Sequence, residues 1–369
     1  MASNAGEERS SGAVAAKGGP SRIGLFLPFI LLSLLVVLWS VAWLWIRGRA
    51  SDEMDAWLAR EANAGRTWTC ADRSVTGYPF RLELRCASLA FSRADSSFTL
   101  GPLTAVVQVY QPRHGLLQVA GPFHVKQGDL SADATWTDLE ASFHGASDGF
   151  SRASLVVNGA KGQIRNAGPQ PIDFSGNHLE AHARPTPGRF ASGGAVDVSL
   201  RLTKALIPPL DPLTGNADPL DLALDATIDQ AAGLRTGEVA RELEEWRQAG
   251  GRLDIALLSL AKGDSRLQAN GRIGLDDDHR PAGELDLRAA NLEAMVSQVL
   301  GQRIGAERGA MVGKLLGQIL AGGRRPSSVE APNSGAEAGL KPLPQLRLTD
   351  GRLVLGPFPV PNVVLPSLY

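Results

Sequence analysis

The chain has 369 residues, of which 44% are hydrophobic and 20% are charged, and its formal net charge is -1. This length and composition allow one large domain or two modest domains with a hydrophobic core. A nucleic-acid surface needs clustered lysine and arginine, and no basic block stands out in this sequence. The charge balance therefore argues against nucleic acid as the main partner.

The beginning of the chain has the pattern of a membrane anchor. Residues 1–22 are rich in Gly, Ala and Ser, which predicts a disordered cytoplasmic tail. Residues 23–46 carry no charge, and about 20 apolar residues suffice to cross a bilayer as a helix. Tryptophans cluster near the end of this run, as in an interfacial aromatic belt, and no cleavage site follows. The sequence predicts an uncleaved signal anchor at 23–46, continued by an amphipathic helical stem at 47–65.

The only two cysteines flank a turn signal just after the predicted stem. Gly77 and Pro79 are turn residues, and the flanking segments suit strands, so a β-hairpin is predicted. A hairpin centred on Tyr78 would place Cys70 opposite Cys86, close enough for a disulfide. The alternative is a pair of buried free thiols on an inward face.

The cysteine pair also bears on membrane topology. Basic residues flank the apolar segment in nearly equal numbers on its two sides, so charge alone does not orient it. Two cysteines that face each other across a hairpin fit an oxidising compartment better than a reducing one. We therefore expect a single-pass protein of the bacterial inner membrane, with a β-rich domain at 66–369 in the periplasm.

The predicted hairpin carries an aromatic and basic motif that has two interpretations. In the first, the proline fixes the turn, the aromatic side chains close one end of the sheet, and the arginine binds loop carbonyls. In the second, an aromatic tip beside a guanidinium receives a lipid headgroup or a partner protein. The residues of the hairpin motif are Trp68, Gly77, Tyr78, Pro79, Phe80 and Arg81.

Most of the remaining chain predicts antiparallel β structure. Between residues 98 and 202, segments of period two are bounded by Gly, Pro, Asn or Asp. A proline-rich connector at 208–219 is a candidate subdivision, and a short helix is predicted at 236–248. Repeats of Gly, a charge and alternating apolar residues then predict a sheet with one apolar and one polar face. The candidate lipid-facing residues are Leu253, Ile255, Leu257, Leu285 and Leu287.

Two further helices are predicted, the first after Asn291 and the second at about 305–321, followed by a loose loop at 322–342. Each interior glycine costs a helix about 1 kcal/mol relative to alanine, so the second helix needs a closely packed neighbour. Its glycine ladder consists of Gly301, Gly305, Gly309, Gly313 and Gly317. The predicted fold is mainly β with α (α+β): an N-terminal transmembrane helix, then a long curved antiparallel sheet partly covered by helices.

The sequence contains no recognisable catalytic signature. His178, Glu180 and His182 invite a zinc interpretation, but the zincin order is H-E-x-x-H on a helix, and a solvated strand face is favoured. The acidic run at 276–278 has no EF-hand spacing and is typical of a turn. No nucleophile elbow, P-loop or dinucleotide motif occurs. We therefore expect no catalytic residue, no metal and no cofactor.

Two parts of the sequence resemble a known bacterial family. Trp68-x-Cys70, Gly77-Tyr-Pro-Phe-Arg81 and Cys86, with the ending Gly351-Arg-Leu-Val-Leu-Gly-Pro-Phe-Pro-Val360, resemble domain of unknown function 2125. That family has no agreed activity, so the resemblance implies no catalytic residue. More distantly, the Gly-x-Leu-x-Leu strands are similar to AsmA-like envelope proteins, which implies a membrane-anchored, β-rich lipid carrier.

These observations favour a non-enzymatic, membrane-anchored envelope protein that binds or transfers lipid, such as phospholipid, through an apolar sheet face. A sheet with a continuous apolar side needs either a helical cover or an acyl chain lying on it. The alternative is a structural or assembly factor of the cell envelope with a fully packed core. Such a factor would dock protein partners through the sheet edge or the hairpin tip.

Overall fold

The computed structural model divides the chain into two compact units, Met1–Glu53 and Met54–Tyr369. The predicted tail, the two helices predicted after Asn291, the glycine ladder from Gly301 to Gly317 and most of the predicted loop at 322–342 fall outside the described residues. The structure describes residues 23–147, 149–211, 216–234, 239–291 and 339–369.

Helices make up a small part of the described residues. The α-helices are α1 (Ile23–Asn63), α2 (Phe190–Gly193) and α3 (Val239–Gln248), and short 3-10 helices occur at Pro208–Leu210 and Ala231–Gly233. Helix α1 has 41 residues, and within the described chain it is the one helix long and apolar enough to cross a membrane.

The described strands form one antiparallel sheet of 21 strands, which confirms the predicted fold class. Its first half contains β1 (Arg66–Ala71), β2 (Ser74–Thr76), β3 (Arg81–Cys86), β4 (Ser88–Arg93), β5 (Ser96–Leu100), β6 (Leu103–Gln108), β7 (Gln111–Val119), β8 (Phe123–Gln127), β9 (Leu130–Thr135), β10 (Asp138–Ala146) and β11 (Gly149–Arg165). Its second half contains β12 (Ile172–Pro185), β13 (Val196–Ala205), β14 (Leu220–Ile228), β15 (Leu253–Lys262), β16 (Ser265–Leu275), β17 (Pro281–Ala290), β18 (Lys341–Pro342), β19 (Leu346–Thr349), β20 (Arg352–Leu355) and β21 (Phe358–Val364).

The first ten strands are the halves of five longer strands that run up and down in chain order. Strands β3 and β4, for example, pair with β6 and β5, and the single strand β11 pairs with both β10 and β9. Glycine is required at Gly101, because a Cβ there would lie 2.4 Å from the carbonyl oxygen of Gly121. The interruptions form a row across the sheet, which we call the break line; it contains Asp72–Arg73, Ala87, Gly101–Pro102, Ala120–Pro122 and Trp136–Thr137.

From β11 to β17 each strand pairs with the next along the chain. Strand β17 then pairs with β18 and β19, and β20 and β21 follow. Because β13 pairs directly with β14, the sheet continues across the proline-rich connector at 208–219.

Alternation of residue types gives the sheet two different faces, because directly opposed residues share a face. We call them the apolar face and the polar face. One row of the apolar face contains Ala105, Leu117, Ala141, Leu155, Ala181, Leu200, Leu224, Leu258, Ala269 and Leu287. One row of the polar face contains Ser142, Ser154, His182, Ser199 and Asp225.

The predicted disulfide between Cys70 and Cys86 is present, with their Cα atoms 5.2 Å apart. The predicted hairpin register is wrong, since Cys70 lies opposite Leu89 and Cys86 lies opposite Leu103. The turn spans residues 77–80, and its centre lies between Pro79 and Phe80 rather than on Tyr78. Every cross-strand pairing of the hairpin therefore differs from the predicted one. The cysteines meet diagonally across the break line.

The predicted alternation along β15 is wrong at Leu257. A β-bulge inserts one extra residue into this strand relative to each of its neighbours. Ile255 lies opposite Ala226, whereas Leu257 lies opposite Asp225 and Leu258 opposite Leu224. Leu257 is therefore on the polar face, and Leu258 takes the predicted place on the apolar face.

Glu244 on helix α3 lies at the centre of a polar cluster at the end of the sheet, and its carboxylate binds Arg247 and Tyr369. The guanidinium of Arg247 donates two hydrogen bonds of 2.8 Å to its carboxylate, and the hydroxyl of Tyr369 donates one of 2.9 Å. The ring of Tyr369 stacks on His279 with centroids 4.3 Å apart. Hydrogen bonds from Arg247, then from Gln248 and Tyr369, hold the pKa of Glu244 well below its usual value.

Replacing Glu244 with glutamine should destabilise the chain at neutral pH and have less effect in acid. A carboxylate whose folded pKa is depressed contributes stability above its unfolded pKa, about 4.3, and loses it as the pH falls below that value. Thermal unfolding of the wild type and Glu244→Gln at several pH values between neutrality and about pH 3 measures the difference. Exposed Glu245→Gln is the matched control, and a Glu244→Gln effect that does not change with pH would contradict the assignment.

Candidate functional site

An open groove of about 790 Å³ lies on the apolar face. Its walls come from seven neighbouring strands: β6, β7, β10, β11, β12, β13 and β14. The side chains that line it from the apolar face are Ala105, Val107, Leu117, Ala141, Phe143, Ala153, Leu155, Ala181, Ala183, Val198, Leu200 and Leu224.

The groove exists because small and large residues alternate along the two central rows of the apolar face. In one row alanines at 141 and 181 lie on either side of Leu155, and in the next row Phe143 lies between Gly115 and Ala153. The small residues leave depth between the larger side chains. Phe143 remains 51% exposed, and no large side chain of the described residues is fully buried. The described parts of the chain therefore leave this stretch of the apolar face uncovered.

The chemistry of the groove is that of an apolar surface. His178, Glu180 and His182 of strand β12 belong to the polar face, where they pair with one another. His182 Nε2 lies 2.5 Å and His178 Nε2 lies 3.3 Å from the carboxylate of Glu180, and these bonds lower the pKa of Glu180, the bond from His182 more strongly. Within the described ranges, no three His, Cys, Asp or Glu side chains are arranged to hold a metal ion.

The groove is not formed by the five residues that the repeats predicted to face lipid. Ile255 and Leu285 are only 6% and 9% exposed, in a packed cluster with Ala226 and Leu348. Leu253 and Leu287 pack against the same cluster, whereas Leu257 lies on the polar face. Four of the five predicted residues thus contribute to a core.

Sequence reasoning missed the groove on the preceding strands. The segments from 98 to 202 have the right period, but half of their groove-lining positions on the apolar face are held by Ala and Gly, which do not stand out as an apolar surface. The alternation of Ala with Leu at facing positions becomes visible only when the strand neighbours are known. No local signal would have shown that these positions share one groove.

The hairpin tip is an exposed structure. Gly77 has a φ of +103°, and a Cβ there would lie 2.7 Å from the carbonyl oxygen of Arg81, so only glycine fits. The peptide between Tyr78 and Pro79 is cis. More than half of the side-chain surface of Tyr78 and of Phe80 is exposed. Binding of a lipid headgroup or a partner protein by the hairpin tip would require this exposure.

Trp68, the remaining motif residue, joins the last turns of α1 to the sheet. Its ring centroid lies 5.6 Å from that of Trp57 and 4.6 Å from that of Phe91. Arg66 donates two hydrogen bonds to Glu61, of 2.6 and 2.8 Å, which lower the pKa of that carboxyl group. Trp68 therefore packs between the last turns of α1 and the sheet.

The fold and the groove together define a protein with a long apolar N-terminal helix and a large open antiparallel sheet, one face of which is apolar. The chain belongs to the bacterial family described as uncharacterised and conserved in bacteria, domain of unknown function 2125, whose sequence model matches residues 43–363. This confirms the resemblance drawn from the hairpin motif and from the ending of the chain. No curated protein and no solved structure matches the chain, and the more distant similarity to AsmA-like proteins stays a prediction.

Proposed function

We propose that this chain is a non-enzymatic, membrane-anchored envelope protein that binds or transfers lipid on its apolar face. The observation that carries the proposal is the groove of about 790 Å³, whose lining is apolar and only partly buried. Binding sites for small molecules typically measure about 300–1,000 Å³, and their walls are mostly apolar. An apolar surface of this kind gains free energy when it is covered.

The dimensions of the groove suit an acyl chain. Seven adjacent strands at about 4.8 Å spacing extend for roughly 29 Å across the sheet. Two opposed leaflets form a hydrocarbon core of about 30 Å, so one acyl chain occupies about half that length. Each methylene group withdrawn from water contributes about 0.8 kcal/mol. A phospholipid with its chains along the groove would thus bury them over most of their length.

Two features support the proposed location. Helix α1 supplies an apolar segment long enough to anchor the chain in the inner membrane. The Cys70–Cys86 disulfide fits an oxidising compartment, which favours the periplasm for the sheet and the cytoplasm for residues 1–22.

The test is recovery of lipid with the purified protein. The full chain, extracted in a mild detergent and washed extensively, should retain about one phospholipid per chain, measured by solvent extraction and mass spectrometry. Lipid bound only around α1 should exchange with detergent during the wash, whereas lipid in the groove should persist. Repeated recovery of a folded, lipid-free chain that also takes up no lipid from vesicles would contradict the proposal.

The second candidate is a structural or assembly factor, and the exposed aromatic tip of the hairpin favours it. Tyr78 and Phe80 offer large apolar surfaces beside the guanidinium of Arg81, a composition common at protein interfaces. If the purified chain contains no lipid and takes up none, the structural or assembly role becomes the better-supported proposal.

A further inference from the structure

Four basic side chains lie near one another on β7, β10 and β11, one position beyond the groove-lining residues Gly115, Phe143 and Ala153 or, for Arg113, two. His144 on β10 lies opposite His114 on β7 and opposite Arg152 on β11. The two imidazole rings stack with centroids 3.8 Å apart. Arg113 precedes His114 on β7, and Phe143, which lines the groove, precedes His144. We call Arg113, His114, His144 and Arg152 the basic rim.

The positive charge of the basic rim is not neutralised by acidic side chains among the described residues. Arg113 and Arg152 are exposed, and neither has an acidic partner among the described residues. Arg184 on the next strand differs, since it pairs with Asp197 at 3.2 Å. Asp148 lies outside the described residues, and even its full negative charge would leave the two guanidiniums with a net positive charge.

His144 adds an unsatisfied polar atom to the basic rim. Its Nδ1 is buried and has no hydrogen-bond partner in the described structure. Burial, and then the nearby charges of His114 and Arg152, lower the pKa of His144. Buried nitrogen atoms are normally paired, so this orphan nitrogen is an unsatisfied polar group next to the exposed guanidinium of Arg152.

Arg113 lies on the same side of the sheet as the groove. It is two residues before Gly115, whose backbone lines the groove, so its side chain emerges on the apolar face. A Cβ at Gly145 would lie 3.5 Å from the Cβ of Arg113, and glycine therefore leaves room for the arginine stem. His114, His144 and Arg152 occupy polar-face positions at the same end of the strands, next to the turn. Arg113 thus lies on the groove side of these strand ends, and the other three residues lie on the polar side of the same strand ends.

We infer that the basic rim binds the phosphate of an anionic phospholipid whose acyl chains lie in the groove, an inference that rests on the proposed function. A guanidinium presents two parallel N–H donors to phosphate oxygens, and stacked imidazoles add further donors. The apolar groove and the basic rim would then recognise the two chemically different halves of one lipid. The headgroup would then lie beside Arg113 and Arg152, and the acyl chains would extend from there over the groove-lining residues.

Competition between two lipids that differ only in their headgroups tests the inference. The full chain in detergent is offered equal amounts of phosphatidylglycerol and phosphatidylcholine with identical acyl chains, and bound lipid is counted by native mass spectrometry. The wild type should prefer phosphatidylglycerol by about fivefold or more, the effect of an ion pair worth about 1 kcal/mol. The double variant Arg113→Gln/Arg152→Gln should bind both lipids about equally. Arg266→Gln/Arg288→Gln removes two exposed arginines far along the sheet and should keep the preference.

The outcomes separate this inference from the proposed function. A wild type without headgroup preference, or an Arg113→Gln/Arg152→Gln variant that keeps it, overturns the basic rim but leaves lipid binding intact. Failure of every protein to hold either lipid overturns the proposed function as well. Excess inorganic phosphate should leave the preference in place, because the acyl chains hold the headgroup at the rim. Full loss of the preference in phosphate would assign the rim to free phosphate and overturn the inference.

Discussion

Replacing Ala181 with tryptophan should exclude lipid from the groove and leave the fold intact. Ala181 lies at the centre of the groove, opposite Leu155 on one side and Leu200 on the other. An indole at this point would occupy the space of about three methylenes, which at about 0.8 kcal/mol each corresponds to roughly fiftyfold weaker lipid binding. Because the groove is open, the larger side chain need not push the strands apart, and stability should change by less than about 1.5 kcal/mol.

The matched control for Ala181→Trp places the same side chain on the other face. Gln118 is exposed on the polar face of β7, opposite Glu140. Gln118→Trp should therefore retain the lipid content of the wild type. Lipid content is measured by extraction and mass spectrometry, with circular dichroism and thermal unfolding as checks on the fold. An Ala181→Trp protein that is folded and still carries lipid at the wild-type level would show that the ligand lies elsewhere.

Features that depend on short sequence spacing could be predicted without the structure. The apolar run at 23–46 predicts a helix because a helix satisfies its backbone hydrogen bonds internally and lets mostly apolar side chains face outward. The disulfide follows from two cysteines on either side of one turn. The hairpin register could not be predicted in the same way, because it depends on the number of residues in the turn. The four-residue turn at 77–80 moved every pairing of the hairpin.

Features set by contacts between distant residues could not be predicted. The bulge that turns Leu257 to the polar face is enforced by the registers of both β14 and β16, neither of which is visible from β15 alone. The groove depends on Ala141 and Ala181 lying in one row with Leu155 between them. The basic rim requires His114, thirty positions before His144 in the sequence, to stack on it across two paired strands. Pairing between strands, rather than local composition, determines each of these sites.

Loss of the Cys70–Cys86 disulfide should lower the free energy of unfolding more than Glu244→Gln or Ala181→Trp does. The cysteines are separated by 16 positions, and closing a loop of this size contributes about 3 kcal/mol to the free energy of unfolding. Cys86 is 4% exposed and packs with Leu103 and Val119, so the residue that replaces it also matters. The double alanine variant should lose about 3 kcal/mol. The double serine variant should lose a further 1 kcal/mol or more, because a hydroxyl would be buried without a partner.

Thermal unfolding of the full chain in detergent, with and without reductant, measures this loss. Reductant should lower the melting temperature of the wild type toward that of the Cys70→Ala/Cys86→Ala variant and leave the variant unchanged. Prompt labelling of both thiols in wild-type protein unfolded without reductant would mean that no disulfide forms in the cell. It would also remove the support that the disulfide gives to a periplasmic location.

The loss should be local, because the disulfide closes only one part of the sheet. Its cluster lies at the break line and includes Leu117 and Leu139 among the side chains that pack against it, while the core around Ile255 and Leu285 is separate. Hydrogen exchange in the double alanine variant should therefore accelerate in β3, β6 and β7 and stay near wild type in β16 and β17. Leu117 also lines the groove, so the same variant should hold lipid more weakly at that end. Acceleration of equal size in every strand would instead mean that the sheet unfolds as one cooperative unit, with the disulfide stabilising all of it.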